Sequence, residues 1–367
     1  TLKYGYGIKE YLKKDKMVIS VGRVMTCVLG MVVRREREIR DFVKTPFYRI
    51  MANVNVDGSI VSAEWKAMEG SRYFNSPKLY KDNGFLKKED AEALIAYLSD
   101  PSPAQASVVA KEKKKEKKNP PLLYNLAELQ NECSRRLKIS PDTTLKIVQE
   151  LYEKKLVTYP RTDARVLSTA AAKEIDKNLK GLTRLQSVGN FANEILQNGS
   201  YKGLSKTRYV NDKQITDHYA IVPTGQGLQN LGSLKGHSGQ VYDMICRRFL
   251  SIFYLAAEYD KYSLTFQIKE EKFVAGLKIL INPGYMVVTG EHLYKKKDDA
   301  KAKDKGEDDS EGKDLSEDER NAYLEALKKI KKGAVYPVDN FEIKEGETSP
   351  PKRYNSGSLI LAMENAG

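Results

Sequence analysis

Apolar positions recur at a period of two from Tyr48 through Ile50, Ala52 and Val54 to Val56, and Asp57 and Gly58 follow at once. Alternation of that kind lines one face of a strand, and an Asp-Gly pair suits a two-residue turn, so a β-hairpin is expected with Ile60 to Trp65 as its return strand. Ahead of it, SVGRVMTCVLGMVVRREREIR (20–40) is apolar in its first half and alternately charged in its second, the pattern of a helix that enters a core and leaves it. A short helix is expected from about 89 to 98, closed by the turn formers of DPSP. The run KEKKKEKKNPP (111–121) reads as a solvated strand or linker in preference to a DNA-binding patch.

From 125 to 253 the periodicity becomes helical. Asn125 with Glu128 has the form of a capping box, Ser140-Pro141 places a cap before a proline at the first helical position, and Ser168 and Ser238 are read as further caps. Alternation then returns at Tyr262, Leu264, Phe266 and Ile268, with more strand-like sequence at about 273–280 and 335–343. Strands on both sides of a helical stretch predict one β-rich region interrupted by a helical insertion. Between the later strands, KKKDDAKAKDKGEDDSEGKD (295–314) has too few apolar residues to offset its ordering entropy, so a flexible loop is expected near 295–320.

Charge narrows the choice of partner. The chain has 62 Lys and Arg against 49 Asp and Glu, a formal net charge of +13, which suits a polyanion. Cys27, Cys133 and Cys246 lie far apart without a CxxC pair, which argues against a disulfide framework and a structural zinc and fits a reducing compartment. No apolar run approaches the roughly 20 residues needed to span a bilayer, and the first residues carry no signal-peptide pattern. A cytoplasmic protein that does not engage a membrane is expected. The chain starts at Thr1 and stops in what reads as the end of a helix, so a piece of a longer protein is also expected.

The chemistry concentrates in LVTYPRTDARVLS (156–168), where a tyrosine stands before a proline and two arginines follow. Pro160 biases Tyr159 toward extended backbone, on a turn where its hydroxyl is reachable. A phenol with a pKa of about 10 is a poor nucleophile at neutral pH unless cations favour its phenolate. Arg161 is placed to do so, and a guanidinium also grips a phosphodiester through two parallel hydrogen bonds and offsets charge that grows during attack. A phosphotyrosine link would retain the energy of the broken bond, in keeping with the absence of a GxxxxGK[ST] phosphate loop. A second constellation is DHYAIVPT (217–224), where His218 can donate to a phosphate or shuttle a proton. Taken singly, either residue is more often an ordinary structural one.

Together the two strings carry a resemblance. TYPRTD, preceded by LYEKKLV, resembles the active-site signature of type IA DNA topoisomerases, and DHYAIVPT resembles their histidine motif. SVGRVMTCVLGMVVRREREI, LQNECSRRLKISPDTTLKIVQELYEKKL, MICRRFLSIFY and PPKRYNSGSLILAMENAG are similar to further family stretches, in family order, and the bacterial topoisomerase III subfamily is the nearest in kind.

The resemblance implies an α+β multidomain chain with a torus-like fold, in which a β-rich arch is interrupted by a helical domain carrying the tyrosine. On that template 1–45 belongs to the single-strand-groove base, 46–120 and 256–345 to the two halves of the arch, 121–255 to the helical domain, and 346–367 to the return to the base. Hinges are expected around 119–121 and 256–260. Tyr159 would be the nucleophile, forming a 5'-phosphotyrosine; Arg161 would hold the scissile phosphate and His218 would assist there. Gly22, Arg23, Asp163 and Arg165 would contact DNA. Met25, Cys27 and Ala164 depart from the family's common glutamine, proline and serine. The family binds Mg2+ through a Toprim domain, and no DxD-bearing βαβ region is found in this sequence, so these residues alone are expected to cleave DNA poorly. Implied partners are single-stranded DNA and negatively supercoiled or catenated DNA, acted on by a nucleoid-associated monomer; the alternative is a non-catalytic single-stranded DNA-binding module. A tyrosine recombinase would need dispersed arginines and histidines around a C-terminal tyrosine, and a relaxase a histidine triad, and neither pattern is present.

Overall fold

The computed structural model describes residues 22–290 and 324–365. The predicted hairpin forms as β1 (Pro46–Val56) and β2 (Ser59–Lys66), with Val56 opposite Ser59. Asp57 and Gly58 have φ of 50° and 89°, the left-handed pair that a two-residue hairpin turn requires. Further along the chain come β3 (Leu79–Lys81), β4 (Gly84–Phe85), β5 (Gln105–Lys118), β6 (Ala257–Ile268), β7 (Glu271–Asn282) and β8 (Val335–Glu347). β1, β2, β7, β6, β5 and β8 pair in turn until β8 returns to β1, so the sheet closes into a ring, while β4 and β3 extend from β1. The closing contacts are short, three residues each between β2 and β7 and between β5 and β8, while the other pairings run along most of their strands.

The ring is filled by the alternating side chains that the sequence marked. Ile50, Ala52, Val54, Val61, Trp65, Leu264, Phe266 and Phe273 are buried. Trp65 stacks on Phe85 at 4.8 Å. Of the first two helices, α1 (Arg23–Arg40) and α2 (Lys88–Leu98), the second joins this core through Ala91, Leu94 and Leu98. Trp65 Nε1, Ser71 Oγ and the backbone N–H of Arg72 all donate to the buried carboxylate of Glu271, at 2.7, 2.6 and 3.0 Å. The expected charged loop near 295–320 lies outside the described residues.

The lysine-rich run is a strand. It forms the second half of β5, which pairs with β6 from Ser107 opposite Gln267 to Lys118 opposite Ala257. Ion pairs with other strands tie it in: Lys113 pairs with Asp260 and Lys117 with Glu258, both on β6, and Glu116 of the run itself pairs with Lys278 of β7. Consequently the chain enters and leaves the helical region along one ribbon. Of the two expected hinges, 119–121 has no regular structure, whereas 257–260 is already paired strand.

The helical region packs a core of its own. It comprises α3 (Leu126–Leu137), α4 (Pro141–Glu153), α5 (Thr169–Lys173), α6 (Ile175–Leu182), α7 (Gly189–Asn198) and α8 (Ser238–Ser251). Asn125, Ser140 and Ser168 cap as expected, each accepting from a backbone N–H three residues on. Ser238 does not cap: it is the first residue of α8, buried, and its hydroxyl donates to Glu150 on α4 at 3.0 Å. Burial of Cys133 pushes its thiol up to about 12, so it packs as a small apolar residue.

α1 differs from expectation in what it buries. Val24, Met25 and Leu29 in its apolar half are exposed, and the charged half makes the contacts instead. Arg35 donates to the carbonyl of Lys352 at 2.6 Å and lies over the Tyr354 ring, while Arg353 grips Glu36 at 2.7 and 3.0 Å. That segment leads into α10 (Ser356–Glu364), which follows the short α9 (Met286–Thr289) and packs on α3. A Cβ on Gly357 would come within 3.0 Å of Asn131 backbone, so glycine permits the close approach.

Candidate active site

Two strings far apart in sequence are fastened side by side by bonds between residues 56 to 64 positions apart. Thr158 Oγ1 donates to the carbonyl of Ala220 at 2.9 Å and accepts from the N–H of Val222 at 2.9 Å. Thr162 Oγ1 donates to the carbonyl of His218 at 2.6 Å and accepts from the N–H of Ala164 at 3.1 Å. Backbone bridges join Val157 to Pro223 and Tyr124 to Ile221. The two threonines that flank Tyr159 therefore hold the histidine motif in register with it, and the Tyr159 and His218 rings lie 4.4 Å apart at 46°.

Tyr159 is half-buried and His218 exposed, and neither side chain has a hydrogen bond among the described residues. Arg161 is exposed and likewise makes no ion pair or hydrogen bond there. The phenol, the imidazole and the guanidinium are thus free to bind something else. Beside them opens a cleft of about 570 Å³ lined by Tyr152, Tyr159, His218, Tyr219 and Gln226 among others. Its far rim is the turn 224–227. Gly227, at φ 68°, lies so close to the carbonyl of Lys154 that a Cβ would clash at 2.2 Å, which pins this turn to the C-terminal end of α4.

Beneath the site Tyr124 is buried, and burial pushes its hydroxyl up to about 12, against the opposing pull of Arg248. Arg248 lies over the Tyr124 ring at 4.2 Å and donates to its hydroxyl and to the carbonyl of Leu122. A buried cation so satisfied is a structural support; the contrast with unpaired Arg161 separates the two arginines by role.

The family description "DNA topoisomerase" matches residues 2–367. The chain belongs to the type IA DNA topoisomerases. It is 34% identical over 351 residues to DNA topoisomerase 3 of Bacillus subtilis (strain 168), covering 95% of this chain and 42% of that protein. The corresponding protein of Bacillus licheniformis is 32% identical over 349 residues, with the same coverage. Full-length topoisomerase I from Thermotoga maritima has a similar fold, with a TM-score of 0.60 at 23% identity, over 96% of this chain and 49% of that one. Within the family the chain is close to topoisomerase 3, and it has the type IA fold, a β ring interrupted by the tyrosine-bearing helical domain. It spans about 42% of the length of these curated topoisomerase relatives.

Against that family background, the other residues singled out in the sequence are found in different settings. Gly22 caps the start of α1 with open space around it, and the side chain of Arg23 lies outside what is described. Asp163 is exposed, and its carbonyl accepts from Asn125. Arg165 is engaged internally, donating to the carbonyl of Leu123 at 3.2 Å and reaching Glu128 at 3.4 Å. Among the departures, Ala164 is buried while Met25 and Cys27 are exposed. None of the residues of α1 lines the cleft. Sequence reasoning missed the two threonine staples, although both lie inside the quoted motif, and it missed Tyr152, whose LYEKKL context carries no chemical mark of its own.

Proposed function

We propose that Tyr159 is the nucleophile of a DNA strand exchange, with Arg161 and His218 as its partners at the phosphate. The phenolic oxygen attacks phosphorus, the new O–P bond forms as the bond to the 3'-oxygen breaks, and the departing oxygen takes the electron pair and a proton. The phenol's proton leaves in the same passage. Arg161 is suited to bind two non-bridging oxygens, and the His218 ring, beside Tyr159, to donate to one of them. Reversal by the 3'-hydroxyl restores the strand without a nucleotide cofactor, since one ester is exchanged for another. The observation that carries this reading is the pairing of the Tyr159 and His218 rings at 4.4 Å, with Arg161, two residues along the chain from Tyr159, unpartnered among the described residues.

In the whole protein the reaction would act on single-stranded DNA, pass another strand through the break and so relax negative supercoils or decatenate DNA. Among the described residues no three His, Cys, Asp or Glu side chains are grouped to hold a metal. The family resemblance assigns Mg2+ to the Toprim domain, and no step here is routed through it. We propose further that these 367 residues alone form little covalent adduct. No helix among the described residues is long and apolar enough to cross a membrane.

Covalent trapping tests the reading. With the chain joined to its parent's Toprim domain and given a labelled single-stranded oligonucleotide, a denaturant-stable adduct is expected from the native sequence and none from Tyr159→Phe. An adduct that persists in Tyr159→Phe overturns it.

A further inference from the structure

The cleft beside Tyr159 is larger than attack on a phosphate requires. Its volume of about 570 Å³ lies within the range of roughly 300 to 1,000 Å³ usual for small-molecule sites. Its walls are also unlike a phosphate cradle. Tyr152, at the end of α4, lies edge-on to Tyr159 with ring centroids 5.4 Å apart at 82°, so that Tyr152, Tyr159 and His218 form a row of three rings with the reacting phenol in the middle. Tyr152 is 39% exposed and makes no side-chain hydrogen bond among the described residues. An aromatic side chain left open at that position adds nothing to the helical core, in which it takes no part. Opposite, the side-chain amide of Gln226 and the ammonium of Lys155 are exposed and likewise unpaired among the described residues, and both line the cleft.

We infer that this cleft is a nucleobase subsite, in which Tyr152 stacks on the base of the nucleotide that stays joined to Tyr159 after cleavage. The inference rests on the proposed role of Tyr159. Two arguments assign the nucleotide. The base of that nucleotide is one sugar away from the attacked phosphorus, and the Tyr152 ring is one ring away from the attacking phenol. In addition, the lining residues fall between 152 and 159 or between 218 and 226, all in the helical domain that carries Tyr159. A nucleotide seated there travels with the covalent end, whereas the strand with the free 3'-hydroxyl does not share these walls. Stacking accepts any base, because each has a π-face. Gln226 offers both a donor and an acceptor to a base edge, and Lys155 a charge to the next phosphate. Tyr152 is thus a positioning residue: it holds the retained ester in line for return of the 3'-hydroxyl.

The test uses the full-length protein and an oligonucleotide whose break has been mapped by its covalent adduct, with 5-iodouracil placed immediately 3' of the break. Irradiation is expected to crosslink that base to Tyr152. Tyr152→Leu is expected to weaken oligonucleotide binding about fivefold or more, as for loss of one base–aromatic stack, and Tyr152→Phe to stay within about twofold of the native protein because it keeps the ring. An adduct whose crosslink maps outside the cleft, or a folded Tyr152→Leu protein that binds as the native one does, overturns the subsite and leaves Tyr159 standing. Absence of any adduct overturns both. Should Tyr152→Leu fail to fold, the crosslink in the native protein decides.

Discussion

The β ring and the helical domain treat their polar side chains in opposite ways. In the ring, Glu271 is fully buried and receives three donors, from Trp65, Ser71 and Arg72. In the helical domain, the Tyr159 and His218 rings lie side by side and Arg161 follows Tyr159 by two residues, yet none of the three has a hydrogen-bond partner for its side chain among the described residues. A buried charge without partners would cost several kcal/mol, so the first arrangement is a condition of folding. An exposed group without partners costs the fold nothing, and so the second is available for a substrate. The contrast teaches that satisfaction inside the protein marks support, and that groups left unpartnered by the fold are the ones a substrate can use, as proposed for these three.

Substitutions can break that contrast. The largest effect is expected at Arg161→Ala, which should lower the rate of adduct formation in the full-length protein by about a hundredfold or more, as for loss of an oxyanion donor. Its denaturation midpoint should stay at the native value, because no bond within the described residues is lost. Glu271→Ala should do the reverse. The buried Trp65 N–H and two part-buried donors lose their acceptor, at about 1 kcal/mol or more for the buried one and less for the others, so urea denaturation should show a loss of about 2 kcal/mol, while the adduct rate per folded molecule is preserved.

Thr162→Val sharpens the boundary between the two classes, since Thr162 is a buried staple bonded to the carbonyl of His218, a residue of the proposed site. Loss of its bonds to the His218 carbonyl and the Ala164 N–H should cost about 1 to 3 kcal/mol and slow adduct formation together, a coupling that neither earlier substitution shows. The smallest effect concerns Glu132 in α3. Burial pushes its carboxyl up, but Arg136 and Arg135 outweigh that and hold it below the usual carboxylate value. Its folded pKa is lower than its unfolded one, so the stabilisation is fully present above a pH of about 4.3 and fades as pH falls through the folded value. Glu132→Gln should therefore unfold more easily than the native chain at neutral pH, with the gap narrowing below pH 4 or so in acid-denaturation curves.

Legibility in the sequence followed the range of the interactions involved. The β1–β2 hairpin was plain, because alternation and an Asp-Gly turn lie within 20 residues of one another, and so were the caps at Asn125, Ser140 and Ser168. Closure of the ring was not. It depends on Glu64 facing Val274 and on Ile50 facing Ile343, pairings that leave no local mark. The lysine half of β5 hid its strand character because carboxylates on β6 replace the apolar partners that alternation detects. Ser238 misled for a similar reason: its hydroxyl had a distant partner in Glu150, which outcompeted the local cap. At the site, the identities of Tyr159, Arg161 and His218 came from motifs, whereas the staple through Thr158 and Thr162 emerged only when residues far apart in the chain met, and the ring of Tyr152, although close in sequence to Tyr159, carried no chemical mark.

The pairing of Lys118 with Ala257 means that the helical domain is suspended from two adjacent strands that are bonded to each other up to the point of departure. The packing of α10 on α3, with Asn125 bonded to Glu364, is a second attachment, so the domain is held at two places and any movement of it relative to α10 must first undo that contact.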